Sequence, residues 1–431
     1  MARIQAIRGT QDRYGGALLR WRVMEERVRA VADRFGYEEI RTPLFEATEL
    51  FSRGVGMDTD IVQKEMYTFA DRKGRSLTLR PEGTASVVRA YLEHGMARER
   101  PIAKFFYMGP MFRYERPQKG RFREFHQFGV EVIGSDDPLH DAETVAVFIA
   151  MLEDLGLSGL TVRLGSVGDG ECRPAYTALL RSYLKENEKD LCETCRERID
   201  RNPLRVLDCK ADAGGPVIAG APSILEHLCG GCRDHLDRVG AALGAAGIPY
   251  THDAGLVRGL DYYTRTVYEV HHERLGAQSA LGGGGRYDRL VEDLGGPATP
   301  GVGFSAGMER IADVASSLGV EWTGEEPLRL FVAPLDGAGE ERVFPLLLRL
   351  RRRWRVEGNY RARNLKTQLK HAVRFGARFV LLIGEEEAAA DAVSIKRLDT
   401  GDQTRVKAAD LEREIESLAS AGDGDDRSRK E

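Results

Sequence analysis

The apolar residues Leu18, Trp21, Met24, Val28, Val31 and Phe35 recur every three or four positions, and Gly36 stands where a helix would stop. This spacing predicts an N-terminal amphipathic helix. A strand-like run from Tyr37 to Thr42 follows, closed by Pro43. Between Ile102 and Gly134 the period shortens to two, with aromatic and β-branched residues prominent. That pattern predicts antiparallel strands at Lys104–Gly109 and His126–Ile133, joined by a polar loop, Glu115 to Glu124, too long for a tight hairpin. Asp141 to Leu155 returns to helical spacing.

From Asp169 to Ile248 the texture changes to helical charge patterns, such as Ser182 to Arg201, and to the five cysteines beyond Cys172. The stretch reads as an insertion between two parts of one sheet. Strands are predicted to resume at Leu256–Arg258 and Thr264–His271. A glycine run, Leu281 to Arg286, precedes a predicted helix from Tyr287 to Leu294, and Gly301 to Ala306 reads as a strand feeding a helix from Gly307 to Leu318. Past a linker at Gly324–Pro327 the chain alternates strand (Leu328–Ala333), helix (Gly339–Arg353), strand, helix (Leu365–Phe375) and strand (Arg378–Ile383). This predicts a small α/β unit with a largely parallel sheet. The small and charged residues Ala421 to Glu431 are expected to be disordered.

Composition narrows the class. At roughly 150 residues per domain, 431 residues predict about three domains, and 42% apolar residues are enough to give each a core. The 63 Lys+Arg and 67 Asp+Glu nearly cancel to a net charge of −4, which excludes a polycation but says nothing of local patches. No run approaches the ~18 apolar residues of a membrane span, and the start shows no apolar leader. Six cysteines are too few for a disulfide scaffold in a chain this long. A soluble, cytoplasmic protein with no membrane partner is expected.

Several polar clusters could carry chemistry. Arg113 to Arg123 holds five basic residues against one acid, and arginine forks match phosphate oxygens; a solvated hairpin tip would show the same run. On the following strand Gln127, Gly129 and Glu131 share one face and Phe128, Val130 and Val132 the other, so a polar floor lies opposite a core face. The turn Glu82-Gly83-Thr84 can hold an ammonium group or simply cap a helix. Arg258-Gly-Leu-Asp-Tyr-Tyr263 packs a cation, an acid and two tyrosines together, and Gly282–Gly285 lets a backbone approach a ligand closely. Arg310 falls in the first turn of a helix, where it opposes the dipole and calls for an anionic partner. Between Arg342 and Arg378 twelve Lys/Arg face one acid, Glu357, the electrostatic footprint of a nucleic-acid partner. Cys192-x-x-Cys195 and Cys229-x-x-Cys232, with Cys209 between them, have zinc spacing, but nothing else in the chemistry requires a metal and none is assigned.

Together these segments resemble the histidyl-tRNA synthetase family of class II aminoacyl-tRNA synthetases over nearly the whole chain. Phe35 to Pro43 is similar to the class motif at the dimer interface, Phe112 to Glu131 to the second motif with its arginine loop, and Gly301 to Arg310 to the third. Arg258–Tyr263 and Gly282–Asp288 resemble two signatures restricted to the histidine enzymes. The resemblance implies an α+β fold: an antiparallel sheet flanked by helices over residues 1–325, interrupted by a helical insertion at 169–248, then an α/β anticodon-binding domain at 326–420. It implies activation of L-histidine by ATP with Mg²⁺, no organic cofactor, transfer to tRNA(His), and a homodimer. By the same resemblance, Arg113 and Arg258 would be catalytic, gripping the α-phosphate. Glu82, Gly83, Thr84, Gln127, Glu131, Tyr262, Tyr263 and Tyr287 would surround histidine with them. Glu115, Phe125, Arg121 and Arg310 would hold ATP with Arg113, and Arg116, Gln118 and Arg123 would meet the tRNA. Two rival families fit less well. A non-catalytic synthetase-like regulatory subunit of histidine biosynthesis lacks the basic C-terminal unit, and class II enzymes for proline, threonine or glycine lack the Arg258–Tyr263 signature.

Overall fold

The computed structural model describes residues 3–57, 59–115, 122–209, 211–272, 280–322 and 327–423. The chain divides into two compact units, Met1–Thr323 and Gly324–Glu431.

The first unit is built from strands β1 (Glu38–Glu39), β2 (Phe45–Ala47), β3 (Tyr67–Ala70), β4 (Ser76–Leu79), β5 (Ala103–Phe112), β6 (Glu124–Ile133), β7 (Leu160–Ser166), β8 (Tyr250–His252), β9 (Thr264–His272), β10 (Ala280–Arg286) and β11 (Gly301–Gly307). Eight of them form one sheet in the order β1-β5-β6-β11-β10-β9-β7-β8, while β2, β4 and β3 make a separate antiparallel ribbon. Within the large sheet only the outermost pairs, β1 with β5 and β7 with β8, run parallel. The apolar face of the sheet carries Phe128, Val130, Tyr268 and Phe304 into a core shared with Val28 and Val31 of the helix Gly15–Arg34 and Phe148 of the helix Pro138–Asp154. Phe148 stacks on Phe304 with ring centroids 4.4 Å apart, and each such side chain contributes about 1.5–3 kcal/mol by leaving water. The second helix begins cleanly because Pro138 follows Asp137, whose carboxylate accepts the Leu139 N–H at 3.0 Å. The insertion between β7 and β8 contains the helices Arg173–Glu186, Glu193–Arg201, Leu204–Leu207, Pro216–Ala219 and Gly230–Ala245.

In the second unit β12 (Arg329–Pro334), β13 (Arg355–Gly358), β14 (Phe379–Ile383), β15 (Ala392–Arg397) and β16 (Gln403–Lys407) form one sheet in the order β13-β12-β14-β15-β16. The first three strands are parallel and the last two join antiparallel. All five residues of β14 are buried, as a central strand covered on both faces requires.

Four segments differ from the sequence reading. Leu256–Arg258 is a loop, and Leu256 packs into the same buried cluster as Tyr262 and Tyr263 instead of joining a ladder. The strand expected from Tyr37 to Thr42 shortens to Glu38–Glu39. The helix expected from Tyr287 is confined to Leu290–Asp293: the Tyr287 N–H bonds to the Gly301 carbonyl at 2.7 Å and the Asp288 N–H to Thr264 Oγ1 at 3.2 Å, which takes both residues out of a helical turn. The last helix, Leu411–Asp423, runs three residues into the stretch expected to be disordered, and residues 424–431 lie outside the described residues.

Candidate active site

Strand register builds the site. Tyr107 of β5 lies opposite Gly129 of β6, Gly129 opposite Ser305 of β11, Ser305 opposite Gly283 of β10, and Gly283 opposite Glu269 of β9. Two residues along each strand, and so on the same face, runs the row Phe105, Glu131, Gly303, Gly285 and Val267. This face is a floor of glycines, each covered by a larger polar or aromatic side chain. A Cβ on Gly129 would lie 2.5 Å from Tyr107 Oη, one on Gly303 2.0 Å from Glu131 Oε2, one on Gly283 2.9 Å from Arg258 Nη1, and one on Gly285 3.0 Å from the Tyr263 ring. The glycine run therefore makes room for the protein's own arginine and tyrosine, where the sequence had offered it for direct approach of a ligand. Gly83 serves likewise, since a Cβ there would sit 2.3 Å from the Tyr107 ring.

Glu131 is fully buried at the centre of the floor. Thr84 Oγ1 donates to its Oε1 and the Tyr287 hydroxyl to its Oε2, both at 2.6 Å. Burial pushes its carboxyl up to about 8, against the lowering effect of those two hydrogen bonds. Glu82 accepts the Thr84 and Ala85 N–H groups at 2.7 and 2.8 Å, so it caps the helix Thr84–Glu93. Burial raises its carboxyl too, opposed by those backbone donors and by Arg113. Tyr262 packs between Tyr263 and Tyr287, with centroids at 4.8 and 5.8 Å.

Arg258 lies on the β10 side of the floor, ion-paired to Glu269 and donating to the Gly283 carbonyl at 3.3 Å. Burial alone would disfavour its charge, but Glu269 and Tyr263 outweigh it and hold the guanidinium firmly protonated. Glu269 is pulled down to about 2 despite its burial, by His271 and Arg258. Arg258 Nε, Gln127 Oε1 and the Tyr107 hydroxyl are buried and have no hydrogen-bonding partner among the described residues. Orphaned polar atoms of this kind cost about 1–3 kcal/mol each, and on a polar floor they mark where a ligand would complete the set. A separate cavity of about 10 Å³ borders Arg258 and Tyr263 on the side of Arg173, Asn202 and Arg205, away from Glu131.

From the β5 side, Arg113 donates Nε to the Pro81 carbonyl at 2.9 Å and lies over Phe125 at 5.3 Å. Arg113, just past the end of β5 and facing Glu82, and Arg258, in the loop before β9 and bonded to Glu269, thus reach the strand row from opposite edges. Glu115 is partly buried, its N–H donating to the Arg113 carbonyl at 2.8 Å, and Arg310 occupies the first turn of the helix Met308–Ser317. Arg123 stacks on Tyr114 at 4.3 Å. Arg116, Gln118 and Arg121 lie outside the described residues.

Sequence reasoning missed four contributors. Tyr107 and Glu269 looked like ordinary strand residues, yet register sets them at the two ends of the row. Arg286 is fully buried and bound to Asp141, to the Ser135 carbonyl at 2.8 Å and to Asp288 at 3.1 Å, while His235 of the insertion meets Asp141 at 3.0 Å. Glu309, next to Arg310, gathers Arg13 at 2.6 Å and the His126 N–H at 2.9 Å. A cavity of about 470 Å³ lined in part by Gln11, Arg13, Trp21, Glu309 and Trp322 shares no residue with the floor.

In the second unit the basic excess is smaller than the local count implied. Acids distant in sequence fold against it: Asp391 on Arg342, Glu412 on Arg349, Glu416 on Arg353, and Glu340 near Arg361. Lys366, Lys370 and Arg374 stand exposed at successive turns of the helix Leu365–Phe375, together with Leu365 and Val373.

A family model described as histidyl-tRNA synthetase matches residues 9–311, and one described as anticodon binding domain matches 330–418. The chain is 47% identical to a histidine–tRNA ligase of Desulforamulus reducens over 406 residues, 94% of this chain and 97% of the relative. It is 49% identical to one of Moorella thermoacetica over 409 residues, 93% of this chain and 95% of the relative. Among solved structures, apo histidyl-tRNA synthetase of S. aureus superposes with a TM-score of 0.79 at 37% identity, covering 95% of this chain and 98% of that one. A Bacillus halodurans structure described as an ATP phosphoribosyltransferase regulatory subunit/histidyl-tRNA synthetase shares the fold, at a TM-score of 0.61 and 20% identity over 88% of this chain and 98% of its own.

Proposed function

The chain belongs to the histidyl-tRNA synthetase family, and from that premise we propose how its residues divide the work of a histidine–tRNA ligase. ATP and histidine react first. A histidine carboxylate oxygen bonds to the α-phosphorus of ATP, the bond to the bridging oxygen breaks, and pyrophosphate leaves. A ribose hydroxyl of the terminal adenosine of tRNA(His) then attacks the adenylate carbonyl, its proton departs, an ester forms and AMP leaves. Neither step needs a protein nucleophile, so catalysis is positioning and neutralisation of developing charge.

In this reading Arg113 and Arg258 take the α-phosphate from either side. Glu131 accepts from one imidazole nitrogen and Tyr263 addresses the other, with Tyr262 and Tyr287 closing the pocket. Glu82, Thr84 and Gln127 receive the ammonium and carboxylate ends. Phe125 stacks on adenine, Glu115 bonds to it, and Arg121 and Arg310 hold the distal phosphates, to which Mg²⁺ comes as part of the ATP substrate. Arg116, Gln118 and Arg123 meet the acceptor end. The observation that carries the reading is the buried Glu131, gripped by Thr84 and Tyr287 on a glycine floor that Arg258 overhangs. A niche with fixed polar partners for both imidazole edges rejects side chains that would leave them unpaired.

The anticodon-binding role belongs to residues 326–420 and the catalytic role to 1–325 with its insertion at 169–248. The division of the chain at Thr323 supports this. The stripe Lys366, Lys370 and Arg374 is a better phosphate-facing surface than Arg351–Arg353, because Arg353 is engaged by Glu416 and Arg351 donates to the Val356 carbonyl at 3.1 Å. A homodimer is supported by exposed Leu44, Phe45 and Phe69 around the β2-β4-β3 ribbon. The enzyme would work in the cytoplasm, and no helix among the described residues is long and apolar enough to cross a membrane. Amino-acid-dependent ATP–pyrophosphate exchange, run with each of the twenty amino acids, tests the reading. Histidine alone should support exchange, and an equal rate with any other amino acid would overturn it.

A further inference from the structure

All six cysteines lie in or beside the insertion, and all are free thiols. By spacing alone, five of them read as one set. In space they separate into two. Asp169, Cys172, Cys229 and Cys232 form one group, and Cys192, Cys195, Cys209 and Asp212 the other. In each group the four ligand atoms lie within 4.8 Å of one another.

The two groups are built alike. Each combines two pairs separated by two residues: Asp169-x-x-Cys172 with Cys229-x-x-Cys232, and Cys192-x-x-Cys195 with Cys209-x-x-Asp212. Each C-x-x-C pair opens a helix, since Cys192 precedes Glu193–Arg201 and Cys229 precedes Gly230–Ala245. The free N–H groups of a helix N-terminus favour thiolates at that position. The separations fit a shared ion better than a bond between sulfurs. Cys172 and Cys232 Sγ are 3.8 Å apart, Cys192 and Cys209 Sγ 3.7 Å, and Asp169 Oδ1 is 3.8 Å from both Cys172 and Cys229 Sγ. A tetrahedron with metal–sulfur bonds of ~2.3 Å has sulfur–sulfur edges of about 3.8 Å, whereas a disulfide needs ~2.05 Å. Three sulfurs and one carboxylate oxygen, with no open position, match a closed structural zinc site in number and softness.

We propose that the insertion binds two zinc ions, one in each Cys₃Asp cluster. The first ion ties the loop after β7 to the heads of the helices Arg173–Glu186 and Gly230–Ala245. Around it, Arg265 pairs with Asp169 at 3.2 Å and donates its backbone N–H to the Gly168 carbonyl at 2.8 Å, and Arg173 donates to the Tyr263 carbonyl at 2.8 Å. Loss of that ion would loosen a support of the tyrosine pocket. The second ion cross-links Cys192 and Cys195 to the chain after the four-residue helix Leu204–Leu207. Helices this short hold little core of their own, and bound metal supplies the missing cross-link.

The test is metal content of the full chain, purified reduced and without chelator. Elemental analysis should give two zinc per chain, Cys192→Ser and Cys229→Ser should each retain one, and the double variant none. Cobalt added to metal-stripped wild-type protein should bind to two equivalents with the absorption of tetrahedral thiolate coordination. This second measurement does not depend on the variants folding. Fewer than two equivalents of either metal in the wild type, or two zinc retained by both single variants, would overturn the proposal.

Discussion

Replacing Glu131 with Gln separates what the carboxylate does for binding from what it costs the fold. Its carboxyl is held at about 8 in the folded chain against an ordinary value of 4.5, chiefly because it is buried. An acid whose pKa is raised by folding keeps its proton longer in the native state than in the unfolded one. Stability therefore falls as pH rises through the window from 4.5 to about 8. The slope is up to ~1.4 kcal/mol per pH unit, which sums to about 5 kcal/mol as an upper bound. Glutamine has no proton to lose and can still accept from Thr84. The variant should match the wild type below the window and exceed it by several kcal/mol at its alkaline end. Urea unfolding across that range checks this, with Trp21 and Trp322 reporting on the first unit. Parallel pH profiles for the two proteins would refute the reasoning. Above about pH 8, where the carboxyl is ionised, the same change should lower kcat/KM for histidine by a factor of about 10–150, the worth of a charged hydrogen bond at ~1.5–3 kcal/mol, while leaving KM for ATP unchanged. Both outcomes together would mark Glu131 as the specificity group of the proposed reading, held at a cost to the fold.

Two further outcomes follow from other parts of the molecule. Arg286→Met leaves Asp141 buried beside His235 without its main cation, and should destabilise the first unit by about 3–5 kcal/mol in urea unfolding, although Arg286 has no assigned role in holding substrate. The triple variant Lys366→Ala, Lys370→Ala, Arg374→Ala should weaken tRNA binding and flatten its salt dependence by about one unit of slope for each phosphate no longer neutralised. It should leave tRNA-independent pyrophosphate exchange at the wild-type rate, and loss of both activities together would assign the helix a structural role.

How far the sequence reached depended on the range of the interactions. Where local pattern decides, as in the helix Gly15–Arg34 or the alternating strands β5 and β6, periodicity was sufficient. β14 was legible as the apolar strand closing a strand–helix alternation, and its burial on both faces accounts for the unbroken run. The misreadings came from partners remote in sequence. Leu256 and Val257 looked like strand because they are apolar, but Leu256 packs against tyrosines of the pocket. The helix at Tyr287 falls short of its expected length because Tyr287 and Asp288 spend their N–H groups on Gly301 and Thr264. The basic stretch after Arg342 seemed unopposed because Glu412 and Glu416 return to it from some sixty residues away. The glycines of β10 suggested close approach of a ligand to the backbone, whereas Arg258 and Tyr263 of the chain itself cover Gly283 and Gly285. The cysteines could not be sorted until the fold brought Asp169 and Asp212 beside them.

Central to the proposed chemistry is Arg258 as the cation that meets the reacting phosphate. Histidine-dependent ATP–pyrophosphate exchange by Arg258→Ala measures this directly, with the variant's unfolding midpoint as the control for the loss of its pairing with Glu269. Exchange should fall by two to three orders of magnitude, the effect of removing one transition-state charge donor worth ~2.7–4 kcal/mol. A folded variant that exchanges at nearly the wild-type rate would contradict it.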